Sequence, residues 1–358
     1  MKKNKIMLFP LWKKFREPWG RGLFPSILSH AFGTAVAARN AAYDSGARFS
    51  AAAGKPAISV GGLSAGGSGK TPMALLVGKY LCERGCEVAF LSRGYGRKTK
   101  ETVISSPSTM DSWETVGDEP AMLHGALPQS WLGVGSDRLR AASLLLPRLS
   151  SKAIFVLDDG FQHRRLKRDM DIVCLPPDPF SDALMPRGTL REPLIGLKRA
   201  HCACLIGTTE EATALEISRQ RILREFPHIV VFILYQIPVG LINALSGAFQ
   251  TELPLTQPIA VCGIARPQRF IFFLKKMRVF TSAQSIFSDH YKFKEQDIAR
   301  VAALPGSPGI VTTEKDVYRL KSLKLVSWPD IWYLKLDLRF SDGDSEKLFY
   351  RFIDKALF

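Results

Sequence analysis

Residues 58–72 read ISVGGLSAGGSGKTP, and this stretch decides the fold of the chain. A short apolar run, residues 57–60, leads into a glycine-rich loop that ends in Gly69-Lys70-Thr71. An amphipathic segment follows directly and is predicted as a helix from about Thr71 to Arg84. The order strand, loop, helix indicates a phosphate-binding loop. The alternative is a glycine-rich turn before a helix that binds no phosphate.

The residues of this loop suit the binding of ATP and Mg²⁺. Glycines let successive backbone N–H groups turn onto phosphate oxygens, and the helix start adds unpaired N–H groups. A loop lysine supplies charge to the β- and γ-phosphates, and the next hydroxyl supplies a ligand for Mg²⁺. Ser64 departs from the strict motif, which has glycine there. The predicted nucleotide-binding residues are Gly66, Gly67, Ser68, Gly69, Lys70 and Thr71.

The composition points to an anionic partner. The chain has 49 Lys and Arg residues against 33 Asp and Glu residues, a formal net charge of +16. Nucleic acid, anionic lipid and a phosphorylated substrate all fit this excess. No segment resembles a motif that reads RNA or DNA, so we predict no nucleic-acid partner. The six cysteines lack zinc-site spacing and are expected to be free thiols in a reducing compartment.

The N-terminal residues 1–45 combine bases with aromatic side chains. Trp12, Phe15, Trp19 and Phe24 lie among lysines and arginines, without the uninterrupted apolar run of a signal peptide or membrane span. This mixture predicts a segment that docks in a membrane interface, held by apolar burial and by attraction to anionic lipid. The alternative is an ordinary helix packed on its own domain.

A second apolar run, Ala153 to Leu157, ends in Asp158 and Asp159. In nucleotide-binding folds such a strand lies beside the strand of the phosphate loop, and its aspartate reaches Mg²⁺ directly or through water. Adjacent carboxylates repel each other, which favours a nearby cation. The alternative is a helix cap or turn. A basic cluster, residues 164–168, follows and is a candidate for binding anionic substrate.

Alternating apolar runs and amphipathic segments predict an α/β fold. We expect a parallel sheet of the P-loop NTPase type with helices on both faces, and a second, smaller α/β unit. Residues just past the second strand, Cys86 to Ser92, line the ligand crevice of such a sheet, which makes Arg93 and Tyr95 candidate ligand contacts. The predicted divisions are a P-loop domain at 46–227, a linker at 228–257, the smaller domain at 258–328, and a return strand with a C-terminal helix at 329–358.

Several further motifs, taken together, resemble those of the tetraacyldisaccharide 4′-kinase family, the lipid A 4′-kinases of bacteria with an outer membrane. The resemblance covers about residues 10–319. Its marks beyond the loop are SRGYG at 92–96, GDEP at 117–120, DDGFQH at 158–163, LREP at 190–193, GIA at 263–265, DH at 289–290 and TEKD at 313–316. That family's loop also lacks the first glycine, so Ser64 fits it. Gly62 departs, because the family usually has Asn there.

The resemblance implies a reaction and a location. The γ-phosphate of ATP would pass, with Mg²⁺, to the 4′-hydroxyl of a tetraacylated glucosamine disaccharide 1-phosphate, giving lipid IVA. The acylated disaccharide and the anionic surface of the inner membrane would be the partners, with the protein peripheral on the cytoplasmic face. Two domains joined by a two-stranded ribbon are implied, with 228–235 and 332–339 as candidate strands. The oligomeric state is left open.

The resemblance also assigns site residues. In the family, the aspartate of the GDEP motif pairs with a histidine of the second domain, which matches Asp118 and His290. Asp158 and Asp159 would work with Mg²⁺ and Thr71, and Glu192 is a further candidate ligand. Candidate contacts for the substrate are Arg93, Tyr95, Arg138 and His163; the predicted catalytic set is Asp118, His290, Lys70 and Asp159. A nucleotide-dependent switch or motor ATPase is the alternative, since it needs the loop and the strand-end aspartate without the Asp118–His290 pair.

Overall fold

The computed structural model describes residues 23–109, 111–304, 309–325 and 327–358. The aromatic residues predicted to dock a membrane, except Phe24, lie outside the described residues. The helices are α1 (Leu23–Asp44), α2 (Lys70–Glu83), α3 (Trp113–Val116), α4 (Asp118–Ala126), α5 (Arg138–Leu145), α6 (Ala212–Glu225), α7 (Pro267–Lys276), α8 (Glu295–Ala302), α9 (Glu314–Leu320) and α10 (Gly343–Leu357). Short 3₁₀ turns occupy Leu146–Arg148, Leu194–Arg199 and Thr209–Glu211.

The strands of the described residues form one sheet. They are β1 (Ala57–Gly62), β2 (Glu87–Ser92), β3 (Val103–Ser105), β4 (Trp131–Val134), β5 (Ala153–Asp158), β6 (Met170–Leu175), β7 (Cys202–Gly207), β8 (Val230–Asn243), β9 (Phe249–Gln250), β10 (Ile259–Cys262), β11 (Ala283–Ile286), β12 (Ile310–Thr313) and β13 (Ile331–Phe340). Their order is β11-β10-β12-β13-β8-β7-β6-β1-β5-β2-β4-β3, with β9 beside β8. The predicted mostly parallel α/β fold is confirmed.

The strand of the phosphate loop lies in the middle of the larger part of this sheet. β1 runs parallel to β5 on one side and to β6 on the other, and Val60 is opposite Asp158. The prediction that the aspartate strand lies beside β1 is therefore confirmed. Parallel strands covered on both faces are apolar throughout, and β1, β5 and β6 are buried along their whole length.

Helices cover both faces of the sheet. On β6, Ile172 and Cys174 belong to the core that packs against α2, whereas Val173 and Leu175 point to the opposite face and belong to the core that packs against α6. The second unit has cores of its own on the two faces of β10 and β12. The alternation of side chains along each strand thus divides the apolar residues between two layers of helices.

A two-stranded ribbon joins the two parts of the sheet, but the prediction of its first strand was partly wrong. β8 and β13 pair antiparallel from Leu234 and Phe340 to Asn243 and Trp332. Of the candidate segment 228–235, residues 230–235 pair in parallel with β7, so the ribbon is built mainly from residues 236–243. Pro238 and Gly240 lie in that stretch and weaken its resemblance to a strand.

Helix α1 is attached to the larger part of the molecule through its C-terminal half. Asn40 donates to Glu192, Arg39 to the main-chain oxygen of Gln162, and Asp44 pairs with Arg164. Near its N-terminus, Phe24 and Ile27 are exposed. Within the described residues, no helix has both the length and the apolar character needed to cross a membrane.

Candidate active site

The phosphate loop ends at Gly69, which has a left-handed backbone conformation that only glycine adopts readily. Gly69 has φ of 79° and precedes α2, and a Cβ there would lie 2.8 Å from Cδ1 of Ile206. Gly61, at the end of β1, lies so close to Phe161 that a Cβ would be 2.5 Å from the phenylalanine Cβ. Gly61 therefore lets the end of β1 approach the segment after Asp159, and Gly69 lets the end of the loop approach β7. Lys70 Nζ lies 3.4 Å from the Gly66 carbonyl oxygen and from Ser68 Oγ.

The two aspartates at the end of β5 lie in different surroundings, which shift their pKa values in opposite directions. Asp158 is buried, and its carboxylate oxygens lie 3.4 Å from Thr71 Oγ1. Burial raises the pKa of Asp158 to about 8, and the nearby charges of Glu119 and Asp159 add to this rise. For Asp159, burial also raises the pKa, but the hydrogen bonds from Arg191 and the charge of Lys70 outweigh it and bring the pKa to about 2.

Asp159 is held in place by Arg191. The guanidinium donates to both carboxylate oxygens at 2.6 and 2.7 Å, and Lys70 Nζ lies 3.8 Å from one of them. The backbone of Asp159 has φ of 54°, a conformation that non-glycine residues rarely adopt. Such a conformation is retained when surrounding contacts fix it, and here the two-point Arg191 pair does so. The sequence analysis did not identify Arg191 as a site residue, although it lies within the LREP motif.

Oxygen donors suited to Mg²⁺ converge at the loop. Thr71 and Asp158 supply a hydroxyl and a carboxylate, the hard oxygen ligands that Mg²⁺ takes together with phosphate oxygens. Glu192 was a candidate metal ligand. In the structure its carboxylate accepts hydrogen bonds from Arg199, Gln162 and Asn40. Across the described ranges, no three or more His, Cys, Asp or Glu side chains are grouped to hold a metal ion.

Asp118 and His290 meet across the cleft between the two parts of the molecule. Asp118 begins α4 and is 3% exposed, and its Oδ2 lies 3.0 Å from Nδ1 of His290, which follows β11. Burial raises the pKa of Asp118, but the hydrogen bond with His290 and the charges of Lys315 and Arg319 bring it to about 2. The structure therefore brings together the two residues that the resemblance paired, with the carboxylate ionised.

Two basic residues of α9 complete the surroundings of this pair. Lys315 Nζ lies 2.9 Å from Glu119 Oε1 and 3.3 Å from Nε2 of His290. Arg319 is buried, and its Nε lies 3.8 Å from Asp118. The sequence analysis assigned neither residue a role. Lys315 lies in the TEKD motif, which could have marked it as a site residue. Arg319 lies one helical turn beyond Lys315, and no pattern marked it.

The candidate substrate contacts divide into two groups. Arg93 and Tyr95 are exposed and line the cleft, and the Tyr95 ring lies 4.9 Å, edge on, from the His290 ring. Arg138 and His163 are absent from the cleft lining formed by the described residues. Burial lowers the pKa of Arg138 to about 10 and that of His163 to about 4, with nearby arginines contributing to the second shift. In the basic cluster, Arg164, Arg165 and Arg168 pair with Asp44, Asp137 and Asp171.

A single cleft joins these features. Its volume is about 1250 Å³, and its lining includes the phosphate loop, Asp159, Arg191, His290 and Lys315. Phosphate-binding groups and the exposed part of the Asp118–His290 pair thus face the same space, the former from the larger part of the sheet and His290 from the smaller part.

Comparisons with known proteins agree with this arrangement. The family model described as tetraacyldisaccharide-1-P 4′-kinase matches residues 23–357. A relative from Chlorobaculum tepidum named tetraacyldisaccharide 4′-kinase is 32% identical over 328 residues, 88% of this chain and 92% of the relative. One from Anaeromyxobacter sp. (strain Fw109-5), with the same name, is 36% identical over 332 residues, 90% and 89% of the two chains.

A solved structure matches as well. The crystal structure of LpxK from Aquifex aeolicus, described as being in complex with ATP, superimposes with a TM-score of 0.76 at 30% identity and covers 92% of this chain and 98% of its own. The family match over residues 23–357 agrees with the resemblance that the sequence motifs indicated. This chain belongs to the tetraacyldisaccharide-1-P 4′-kinase family.

Proposed function

We propose that this protein transfers the γ-phosphate of ATP to the 4′-hydroxyl of a tetraacyldisaccharide 1-phosphate, the lipid A precursor. The supporting observation is that a phosphate loop and an Asp118–His290 pair face one cleft. Transfer of phosphate to a hydroxyl needs a side chain that orients the hydroxyl or accepts its proton. A switch or motor ATPase does not need such a side chain. The names of the relatives support the same acceptor.

The residues take distinct roles in this proposal. The loop amides and Lys70 hold the β- and γ-phosphates, and Arg191 fixes Asp159 beside Lys70. Asp118, ionised at neutral pH, holds Nδ1 of His290, and the histidine lines the cleft. His290 comes from the smaller part of the molecule, so closure of the cleft assembles the site and limits hydrolysis of ATP by water. Arg93 and Tyr95 are positioned to contact the acceptor.

Mg²⁺ is part of the proposal. When bound, it neutralises charge on the phosphate oxygens and orients them for transfer. Thr71 and Asp158 would hold it; Asp159 is bound to Arg191 and would act through water or through the phosphates. Both of the carboxylate oxygens of Glu192 accept hydrogen bonds, so it supports the loop through Gln162, whose amide also donates to the Gly62 carbonyl.

A change of Thr71 tests the metal assignment. Because its hydroxyl is the proposed ligand, Thr71→Ala is expected to raise the Mg²⁺ concentration for half-maximal activity by about tenfold or more. Thr71→Ser keeps the hydroxyl and is the matched control, with a Mg²⁺ requirement close to that of the unchanged protein. Titrating Mg²⁺ at saturating ATP measures both. Equal requirements in the two variants would remove Thr71 from the metal site.

The membrane surface is the proposed location. The lipid substrate resides in a bilayer, and α1 exposes Phe24 and Ile27 at its N-terminal end. With the net charge of +16, these residues support peripheral binding to the anionic cytoplasmic face of the inner membrane. Salt-sensitive co-sedimentation with anionic vesicles, and its absence with neutral vesicles, is the expected result. Equal sedimentation with both would argue against an electrostatic contribution.

The proposed reaction has a direct test. The protein is incubated with Mg–ATP labelled at the γ-phosphate, with and without the disaccharide lipid in mixed micelles, and the lipid product is separated. Label is expected in the lipid fraction only when the acceptor is present. A disaccharide that already carries a 4′-phosphate is the control and should receive no label. Hydrolysis of ATP without transfer to the lipid contradicts the kinase proposal and favours the ATPase alternative.

A further inference from the structure

Lys315 contacts the ring nitrogen of His290 that Asp118 does not. The ammonium lies 3.3 Å from Nε2 of His290, 2.9 Å from Oε1 of Glu119 and 3.7 Å from Oδ2 of Asp118. The lysine side chain is 20% exposed and lines the cleft. His290 therefore has a carboxylate on one ring nitrogen and an ammonium on the other.

The charges of these neighbours determine the tautomer of His290. Burial lowers the pKa of Lys315, but the charges of Glu119 and Asp118 outweigh it and raise the pKa above its usual value. Lys315 is therefore an ammonium, which can only donate hydrogen bonds, whereas the ionised Asp118 can only accept them. A ring placed between them is neutral, with its proton on Nδ1 and its lone pair on Nε2.

We propose that Lys315 is a positioning residue that keeps His290 neutral, with Nε2 free of a proton until the acceptor hydroxyl arrives. This inference rests on the proposed kinase function. The hydroxyl takes the place of the ammonium at Nε2, and Glu119 retains the displaced ammonium. The hydroxyl oxygen then forms a bond to the γ-phosphorus as the bond to ADP breaks. Its O–H bond breaks, an N–H bond forms at Nε2, and that proton later returns to solvent.

Lys315 differs from the other charged groups around His290. Glu119 of α4 and Asp289 of the histidine's own loop act on Lys315, Arg319 of α9 pairs with Asp118, and the Tyr95 ring packs edge on against the His290 ring. Within the described residues, Lys315 is the hydrogen-bonding partner of Nε2. Removing its positive charge leaves the Asp118 carboxylate in contact with the ring, which makes a second proton easier to bind.

Nuclear magnetic resonance of ¹⁵N-labelled histidine tests this directly and without any reaction. Long-range proton–nitrogen spectra report which ring nitrogen is protonated, and His290→Ala assigns the signal. The Nδ1–H tautomer is expected in the unchanged protein. At a given pH, Lys315→Met should increase the share of His290 rings that carry a second proton, because the nearby positive charge is gone. Lys315→Arg keeps the charge and should leave that share close to that of the unchanged protein. An Nε2–H tautomer in the unchanged protein, or equal shares in the Met and Arg variants, overturns the proposal.

Turnover separates this inference from the proposed function. With Lys315→Met, the acid limb of the pH profile of kcat should move to higher pH, because more His290 carries a second proton at a given pH. An increased share of doubly protonated ring with no acceptor-dependent transfer in any protein leaves the tautomer assignment intact and contradicts the kinase proposal. If phosphate transfer occurs and the acid limb of the kcat profile is the same in the Met and Arg variants, Lys315 does not have the proposed role. The kinase proposal is then unaffected.

Discussion

Asp118→Asn and His290→Ala are each expected to lower kcat about 10²- to 10³-fold. The kcat of the double variant is expected to be little lower than that of the less active single variant. The two side chains share one hydrogen bond of 3.0 Å, and Asp118 acts on the hydroxyl through the histidine ring. Once the ring is absent, the carboxylate has nothing to orient, so the second change has little left to remove. Losses that multiply in the double variant would show that the two residues act independently.

The chain offers a matched control for this experiment. His124 and Asp111 form a second histidine–carboxylate pair, with Nδ1 2.8 Å from Oδ2, and His124 is 2% exposed. Neither residue is among those lining the cleft within the described ranges. His124→Ala is expected to reduce the free energy of unfolding, because it leaves buried hydrogen-bonding groups without a partner. It should leave kcat per folded molecule nearly unchanged. Chemical denaturation measures the stability, and stopped assays with active-site titration measure kcat.

The larger part of the fold followed from local sequence patterns. The phosphate loop, the buried strand ending in Asp158 and the helix after Lys70 are each specified by neighbouring residues, and β1, β5 and α2 lie where these predict. The ribbon was harder to predict, because β8 changes neighbours midway. Its residues 230–235 lie in the parallel sheet, and the segment with Pro238 and Gly240 forms the antiparallel part. A strand that serves two environments has no single period of apolar residues.

The site was predictable only where a motif marked it. Asp118 and His290 are 172 residues apart and were paired through a family resemblance, because no spacing rule connects residues that meet from the two distant parts of one sheet. Arg191 and Lys315 lie in the LREP and TEKD motifs, but their partners Asp159 and Glu119 are distant in sequence, so neither motif showed the contact. No pattern marked Arg319. Glu192 shows the converse: its motif suggested a metal ligand, and the hydrogen bonds of both of its oxygens are visible only in the structure.

Arg319→Met is expected to lower the free energy of unfolding by about 3–5 kcal/mol, because it leaves the buried carboxylate of Asp316 unpaired. Arg319 is 1% exposed and donates to Asp316, to the Gly263 carbonyl at 3.0 Å and to the Tyr291 carbonyl at 3.1 Å. Tyr291 directly follows His290, and the Gly263 carbonyl also accepts from the main-chain N–H of His290 at 3.1 Å. The variant should therefore also loosen the loop that carries the histidine, and chemical denaturation combined with kcat measures both effects.

The exposed pair Arg221–Glu225 supplies the control, since Arg221→Met on α6 should change stability by no more than about 0.5 kcal/mol.

The loss of stability in Arg319→Met should also depend on pH. Burial raises the pKa of Asp316 even with Arg319 present, and removing the guanidinium raises it further. A carboxyl whose pKa is higher in the folded state destabilises the fold as pH rises through that range, so the deficit should grow from pH 5 to pH 8. Asp316→Asn added to Arg319→Met removes the unpaired charge and should recover part of the loss at pH 8. If the two changes were simply additive and independent of pH, Asp316 and Arg319 would not be coupled, and the position of His290 would depend on other contacts of its loop.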